Sequence, residues 1–289
     1  MIRRETRHKQ IQDLLRRNRG LVLGPWYRPV FRPTSMPQPR LEPIERRQFG
    51  LLQRTNPQAF DSGLRRVGFV ERGSTRHRMG VSIPVSKTRF SKWFGARKGG
   101  IHRKRVLLKH PLRFEKAPYV IGVNAILELT DEKGQPTHVL MIKRPFTVAE
   151  FPNFYDFAAG LLREKSKPVA LLKERIRKET GIPKSRLRVV GNGFKYSKTG
   201  EAFALYLDEK AANYDVVHVI RANITPEEFK ARFARLRDDW KPSAFAIIHR
   251  TPEAIRKFLQ ENDQVLIPEV LRLYARELAL FPGKKTKRS

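Results

Sequence analysis

The chain has 289 residues, 40% of them hydrophobic, enough for a packed core in one domain with large extensions or in two small domains. Its 60 Lys and Arg against 28 Asp and Glu leave a formal charge of +32, an excess that repels itself unless a polyanion neutralises it, which points to nucleic acid before an anionic membrane. Cysteine is absent, which excludes disulfides, thiolate metal sites and a thiol nucleophile, and no apolar run reaches the roughly 18 residues of a membrane span.

The charge is unevenly placed. Residues 1–120 hold 29 Lys and Arg against 7 Asp and Glu, a net +22 that leaves +10 for residues 121–289. Residues 1–116 therefore read as a basic, Pro- and Arg-rich arm that binds RNA or a partner. Ile2 to Arg19 suits a helix with Ile11, Leu14 and Leu15 on one side; its Arg3, Arg4, Arg16 and Arg17 fit RNA contact or a mitochondrial targeting peptide, with Glu5 and Asp13 weighing against the latter. Pro25 to Pro43 is rich in proline and must be extended or turn-rich. There Trp26, Tyr27 and Phe31 alternate with Arg28 and Arg32, a mixture suited to stacking on bases, filling a partner's groove, or docking the arm onto its own domain.

Gly50 to Pro84 shows little periodicity. From Lys87 to Lys109 the chain is one-signed, with Lys87, Arg89, Lys92, Arg97, Lys98, Arg103, Lys104 and Arg105 set among Phe90, Trp93 and Phe94. A charge run is usually a solvated face, but one so long and so poor in acids suits phosphates. A segment this polar is expected to order along RNA, as ribosomal protein extensions do, rather than to fold alone.

A globular domain is expected over 117–265. Tyr119 to Thr130 and Thr137 to Lys143 read as a hairpin around the turn at Asp131 to Pro136. Arg186 to Tyr196 and Ala202 to Leu207 suggest a second hairpin, and Val216 to Ile220 a further strand. Thr225 caps a helix expected to run to about Trp240; Ala244 to Ile248 reads as a buried strand, and Thr251 caps a helix ending by Asn262. Residues 266–289 are a C-terminal helix from Pro268 to Leu280 and a basic tail. The fold class is α+β.

The most informative stretch runs from Phe157 to Ile182. Phe157 to Leu162 is an apolar run holding Gly160, as at a strand end that turns sharply or lets another backbone approach. Ser166 is a plausible N-cap ahead of Pro168; Val169, Leu172 and Ile176 give a helix one apolar face, and Gly181 suits a left-handed cap. This arrangement resembles the Nudix box, Gly-x5-Glu-x7-Arg-Glu-apolar-x-Glu-Glu-x-Gly-apolar. Gly160, Ile176, Gly181 and Ile182 fall on its glycines and its two apolar positions without a gap.

The resemblance implies a mixed sheet sandwiched between helices, and in the family a helix whose glutamates hold Mg²⁺ against a substrate diphosphate. Hard cations need clustered carboxylates. Here Ser166 replaces the early Glu, Glu174-Arg175 reverses the Arg-Glu pair, and Lys178-Glu179 replaces the Glu-Glu pair. Only Glu179 is kept, with Arg175 on its helix face. Glu164 and Glu174 are off the pattern, and Glu201 and Asp208 are candidates for a base supplied from outside the box. His8, His77, His102, His110, His138, His218 and His249 lack metal-ligand spacing, and Asp238-Asp239 reads as solvated.

From this degenerate box the reading follows that no residue is catalytic, no metal or other cofactor is held, and the chain is not an enzyme. It is expected instead to be a structural RNA-binding protein, resembling the Nudix-like proteins of mitochondrial ribosomes, or a ribosome-assembly factor. Its partners are then rRNA and neighbouring ribosomal proteins, its place the mitochondrial matrix, and it has no membrane contact. The alternative is an active Mg²⁺-dependent Nudix pyrophosphohydrolase acting on RNA 5′ ends or nucleoside diphosphate derivatives, with Glu179, Glu164 and Glu174 forming the metal site.

Overall fold

The structure is a computed structural model that describes residues 21–23, 25–33, 43–55, 63–67, 71–75, 78–89, 94, 120–145, 153–163, 166–198, 200–208, 213–236 and 242–281. Its centre is the strand β6 (Val120–Thr130), buried along its whole length. A strand covered on both faces reads as a nearly unbroken apolar run, and this one does. One edge of β6 pairs in parallel with β12 (Asn213–Ala222), from Asn213 opposite Val120 to Ala222 opposite Leu129.

Three strands share the other edge of β6 end to end. They are β3 (Gly63–Val67), through Arg66 opposite Val120, β9 (Ala158–Leu161) and β7 (Pro136–Lys143). The β6–β7 hairpin forms as its turn residues suggest. The next segments differ from expectation: β10 (Leu187–Val190) and β11 (Ala204–Asp208) do not answer one another but lie in line along β12, Val190 opposite Val219 and Ala204 opposite Val217. Both have apolar faces that any exposed strand edge accepts, so local pattern leaves the partner open. The strand β13 (Ala244–His249) continues the sheet beyond β7, and β8 (Tyr155–Asp156) pairs with β7 as well.

Alternation along β6 sorts the core into two layers. Ile121, Val123, Ala125, Leu127 and Leu129 face α2 (Pro168–Thr180) and α3 (Pro226–Ala234) through Leu172, Ile176, Phe229 and Phe233. Ile126 faces α4 (Pro252–Glu261) and α5 (Pro268–Leu280), among Phe258, Leu271 and Tyr274. This is the helix-flanked mixed sheet the resemblance implies. Thr225 and Glu228 complete a reciprocal capping box at α3, which ends at Ala234; residues 237–241, to which the helix was expected to extend, lie outside the described residues.

The N-terminal region is more than an arm. The strand β1 (Leu21–Leu23) pairs with β11, and the backbone amides of Trp26 and Tyr27 donate to Phe203 and Ala202 at 3.0 and 2.9 Å. The Trp26 indole donates to Glu277 Oε1 at 2.8 Å and the Tyr27 hydroxyl to the Ala204 carbonyl at 3.2 Å. Both rings belong to the core rather than to a base-stacking surface. The strands β2 (Arg28–Pro33), β4 (Glu71–Thr75) and β3 pair with the long β5 (Arg78–Arg89). The helix α1 (Pro43–Thr55) buries Phe49 and Leu52. Much of Gly50 to Pro84 is thus regular structure despite its lack of periodicity, and it meets β6 through β3.

Candidate functional site

The box forms where β8 and β9 meet α2. Pro168 opens the helix, but its N-cap is Lys167, in extended conformation, and not Ser166. The Ser166 amide instead donates to the Arg163 carbonyl in a turn at 3.1 Å, which takes it one residue out of the cap position. Gly181 closes the helix at φ 72°, its amide donating to the Arg177 carbonyl at 2.9 Å, the left-handed cap that favours glycine. Ile176 and Ile182 are buried in the layer beneath.

Gly160 sits on β9 opposite Val123, and the reason for glycine is a close approach. A Cβ there would stand 3.0 Å from Arg175 Nε and 3.2 Å from its Cγ. Arg175 therefore lies over the strand. Its charge, with that of Arg144, draws Glu179 down, while Asp156 pushes it up. Burial outweighs these and raises the Glu179 carboxyl to about 8, despite a hydrogen bond from the Ala159 backbone. Glu179 is half-buried as a residue, but its Oε2 is sealed and has no hydrogen-bond partner. Asp156 is engaged elsewhere: Arg144 Nη1 lies 2.8 Å from its Oδ2, and the Phe157 amide donates to Oδ1 at 2.8 Å.

The off-pattern Glu174 stands apart, paired with Arg177 at 2.7 Å and with Lys184, contacts that hold its carboxyl at about 2. Lys178 is half-buried on the same helix. Glu164 lies outside the described residues. Divalent metal needs several ionised oxygens at one point. Among the described residues no group of three or more His, Cys, Asp and Glu is placed to hold one. Of the described carboxyls at the box, Asp156 is already held by Arg144, and burial raises Glu179 toward its neutral form.

The other candidates are dispersed. Glu201 Oε2 accepts from the Asn192 amide at 3.1 Å, and Asp208 ends β11 opposite Asn213. His218 is buried with Nδ1 2.9 Å from the Glu201 carbonyl, its Nε2 unpartnered, and burial lowers it to about 4. His138 and His249 are register partners with rings 4.5 Å apart, and desolvation together with the His249 charge lowers His138. Of the proposed RNA contacts, Arg28 is exposed on β2, Arg32 lies on the same strand, and Lys87 and Arg89 lie on β5. Arg3, Arg4, Arg16, Arg17, Lys92, Arg97, Lys98, Arg103, Lys104 and Arg105 fall outside the described residues, as does Asp238-Asp239. Two features escaped the sequence reading: the near-neutral Glu179, signalled only by its place on the helix's inner side, and the exposed Tyr196 beside Arg221.

A scan against protein-family models and a search of curated proteins find no match. Solved structures do match. A MutT/Nudix family protein from Listeria innocua is 18% identical, with 56% of this chain and 97% of that one covered and a TM-score of 0.35. A Nudix-family hydrolase from Clostridium perfringens is 9% identical over 55% of this chain and 96% of its own, TM-score 0.37. An Ap4A hydrolase from C. elegans is 11% identical over 56% and 99%, TM-score 0.36. Such likeness speaks of fold: the domain is Nudix-like. The expectation that the chain is not an enzyme is corrected here. That expectation rested on a count of missing glutamates, which overlooked the one carboxyl the box niche keeps, Glu179, raised by burial to about 8.

Proposed function

We propose that this Nudix-like chain is an RNA-binding protein that sits on a large RNA, that of the mitochondrial ribosome or of a ribosomal particle under assembly, beside other ribosomal proteins. The observation that carries it is the +22 of residues 1–120, two thirds of the whole excess in less than half the length. The test is sedimentation of the tagged native protein at low and high salt, with and without ribonuclease. Migration with a ribosomal subunit that survives salt is the expected result for a resident component, and migration only at low salt marks an assembly factor. A free species indifferent to ribonuclease overturns the reading.

A second reading rests on Glu179. A buried carboxyl raised to about 8 beside Asp156 and two arginines is the kind of group that exchanges protons at neutral pH. Hydrolysis of a phosphoanhydride, at an RNA 5′ end or in a nucleoside diphosphate derivative, would use it to hold or take the proton of the attacking water, while Arg175 meets the phosphate charge. Release of phosphate or nucleotide, with and without Mg²⁺, that disappears in Glu179→Gln supports this reading. Equal turnover by the variant removes it.

A further inference from the structure

The loop Gly191–Lys198 takes no part in the box, yet it is firmly built. Phe194 has φ 58°, a conformation disfavoured for a bulky residue and kept only where surroundings enforce it. They do so here. Its ring meets Trp26 and Tyr274 edge-on at 5.4 and 5.6 Å, the Arg250 guanidinium lies 4.5 Å from its centre, and its carbonyl accepts from Arg221 Nη2 at 3.3 Å. Backbone bonds close the loop, Gly191 to the Lys195 carbonyl at 2.7 Å and Ser197 to the Val189 carbonyl at 2.9 Å.

This framework presents Tyr196, which is 59% exposed. The Arg221 guanidinium lies 5.3 Å from the Tyr196 ring centre and is itself fixed by Glu128 at 2.8 Å. Lys195 and Lys198, both exposed, flank the tyrosine in sequence. A lone exposed aromatic is ordinary. One held on a strained loop, with an anchored cation against its ring and lysines on either side, has what single-stranded RNA recognition uses: a π-face for a base and cations for phosphates.

We propose that Tyr196 is a stacking platform for an unpaired base of single-stranded RNA, with Lys195 and Lys198 on the flanking phosphates. This rests on the RNA-binding reading above and goes beyond it in naming a second, domain-borne contact that senses strandedness, since a duplex hides its base faces.

The test measures full-length protein binding to a short labelled single strand and to a duplex of equal length, by fluorescence anisotropy. Tyr196→Ala is expected to weaken single-strand binding about 5- to 150-fold, Tyr196→Phe to keep it, and duplex binding to stay unchanged. An unchanged thermal melt verifies the variant's fold. Equal single-strand affinity in wild type and Tyr196→Ala overturns the platform and leaves RNA binding standing, as does an equal loss on both RNAs. Wild-type protein that binds neither RNA overturns the RNA-binding reading, and the platform with it. Photocrosslinking of wild type to thiouridine-substituted RNA is expected to label the peptide holding Tyr196; labelling confined to other peptides also overturns the platform.

Discussion

The Tyr274 hydroxyl donates to Glu128 Oε1 at 2.6 Å, the oxygen that also accepts from Arg250 Nε at 2.8 Å, while Oε2 accepts from Arg221 Nε at 2.8 Å. A carboxylate with no solvent exposure, on the central strand, thus ties together β12, the turn after β13 and the helix α5. Glu128→Gln leaves two cations without their counter-charge, and unfolding in urea is expected to show a loss of about 3–5 kcal/mol. Tyr274→Phe removes the bond donated to Glu128 and the one accepted from Arg250 Nε at 3.0 Å but keeps the counter-charge, and should cost only about 1.5–3 kcal/mol. Similar losses from the two changes would mean that the hydroxyl's hydrogen bonds matter to this cluster as much as the carboxylate's charge.

Gly122 on β6 has no room for a side chain. An added Cβ would stand 1.9 Å from Asp215 Oδ1, which already accepts from Asn124 Nδ2 at 2.8 Å and Asn213 Nδ2 at 2.7 Å. Gly122→Ala must displace a buried carboxylate from both donors, and a loss of roughly 3–5 kcal/mol in denaturant titration is expected. Gly160→Ala meets only the movable Arg175 side chain, so its stability is expected to fall by less than about 1 kcal/mol.

Two buried groups set opposite pH slopes. Glu179 titrates at about 8 in the folded chain against an ordinary 4.5, so the folded state holds a proton that the unfolded state releases. Its contribution is whole below pH 4.5 and is lost as pH rises from there to about 8, on the order of 5 kcal/mol in all. His218, lowered to about 4 from 6.5, acts in reverse: stability drops as pH falls from 6.5 through about 4. The two oppose one another in mild acid, and above pH 6.5 only the Glu179 slope remains. Chemical denaturation from pH 6.5 to 8.5 should show declining stability in wild type and a flatter profile in Glu179→Gln. A wild-type profile already flat there would mean that Glu179 is ionised in the folded chain.

What the sequence made legible was local. The hairpin at Asp131–Pro136, the Thr225 and Thr251 caps and the Gly181 stop each depend on a few neighbouring residues, and each stands in the structure. Partnership between distant segments was not legible: Leu187–Val190 and Ala204–Asp208 look alike whether they pair with each other or, as here, with β12. The strands β3 and β4 read Gly-Leu-Arg-Arg-Val and Glu-Arg-Gly-Ser-Thr, without the alternation that betrays a half-buried strand, so their place beside β5 had no local sign. At the box, spacing revealed the glycines and the apolar face. The perturbed Glu179 and the arginine over Gly160 arise from burial and approach in three dimensions, which spacing does not carry.

Trp26 packs on Phe194 and Phe203 and donates to Glu277, a partner 251 positions later. Synthesis runs from the N-terminus, so every surface that receives this tryptophan is made long after it, and the last only when α5 is released. The segment that holds Trp26 is therefore made well before its partners and is among the last of the described parts to be fastened down.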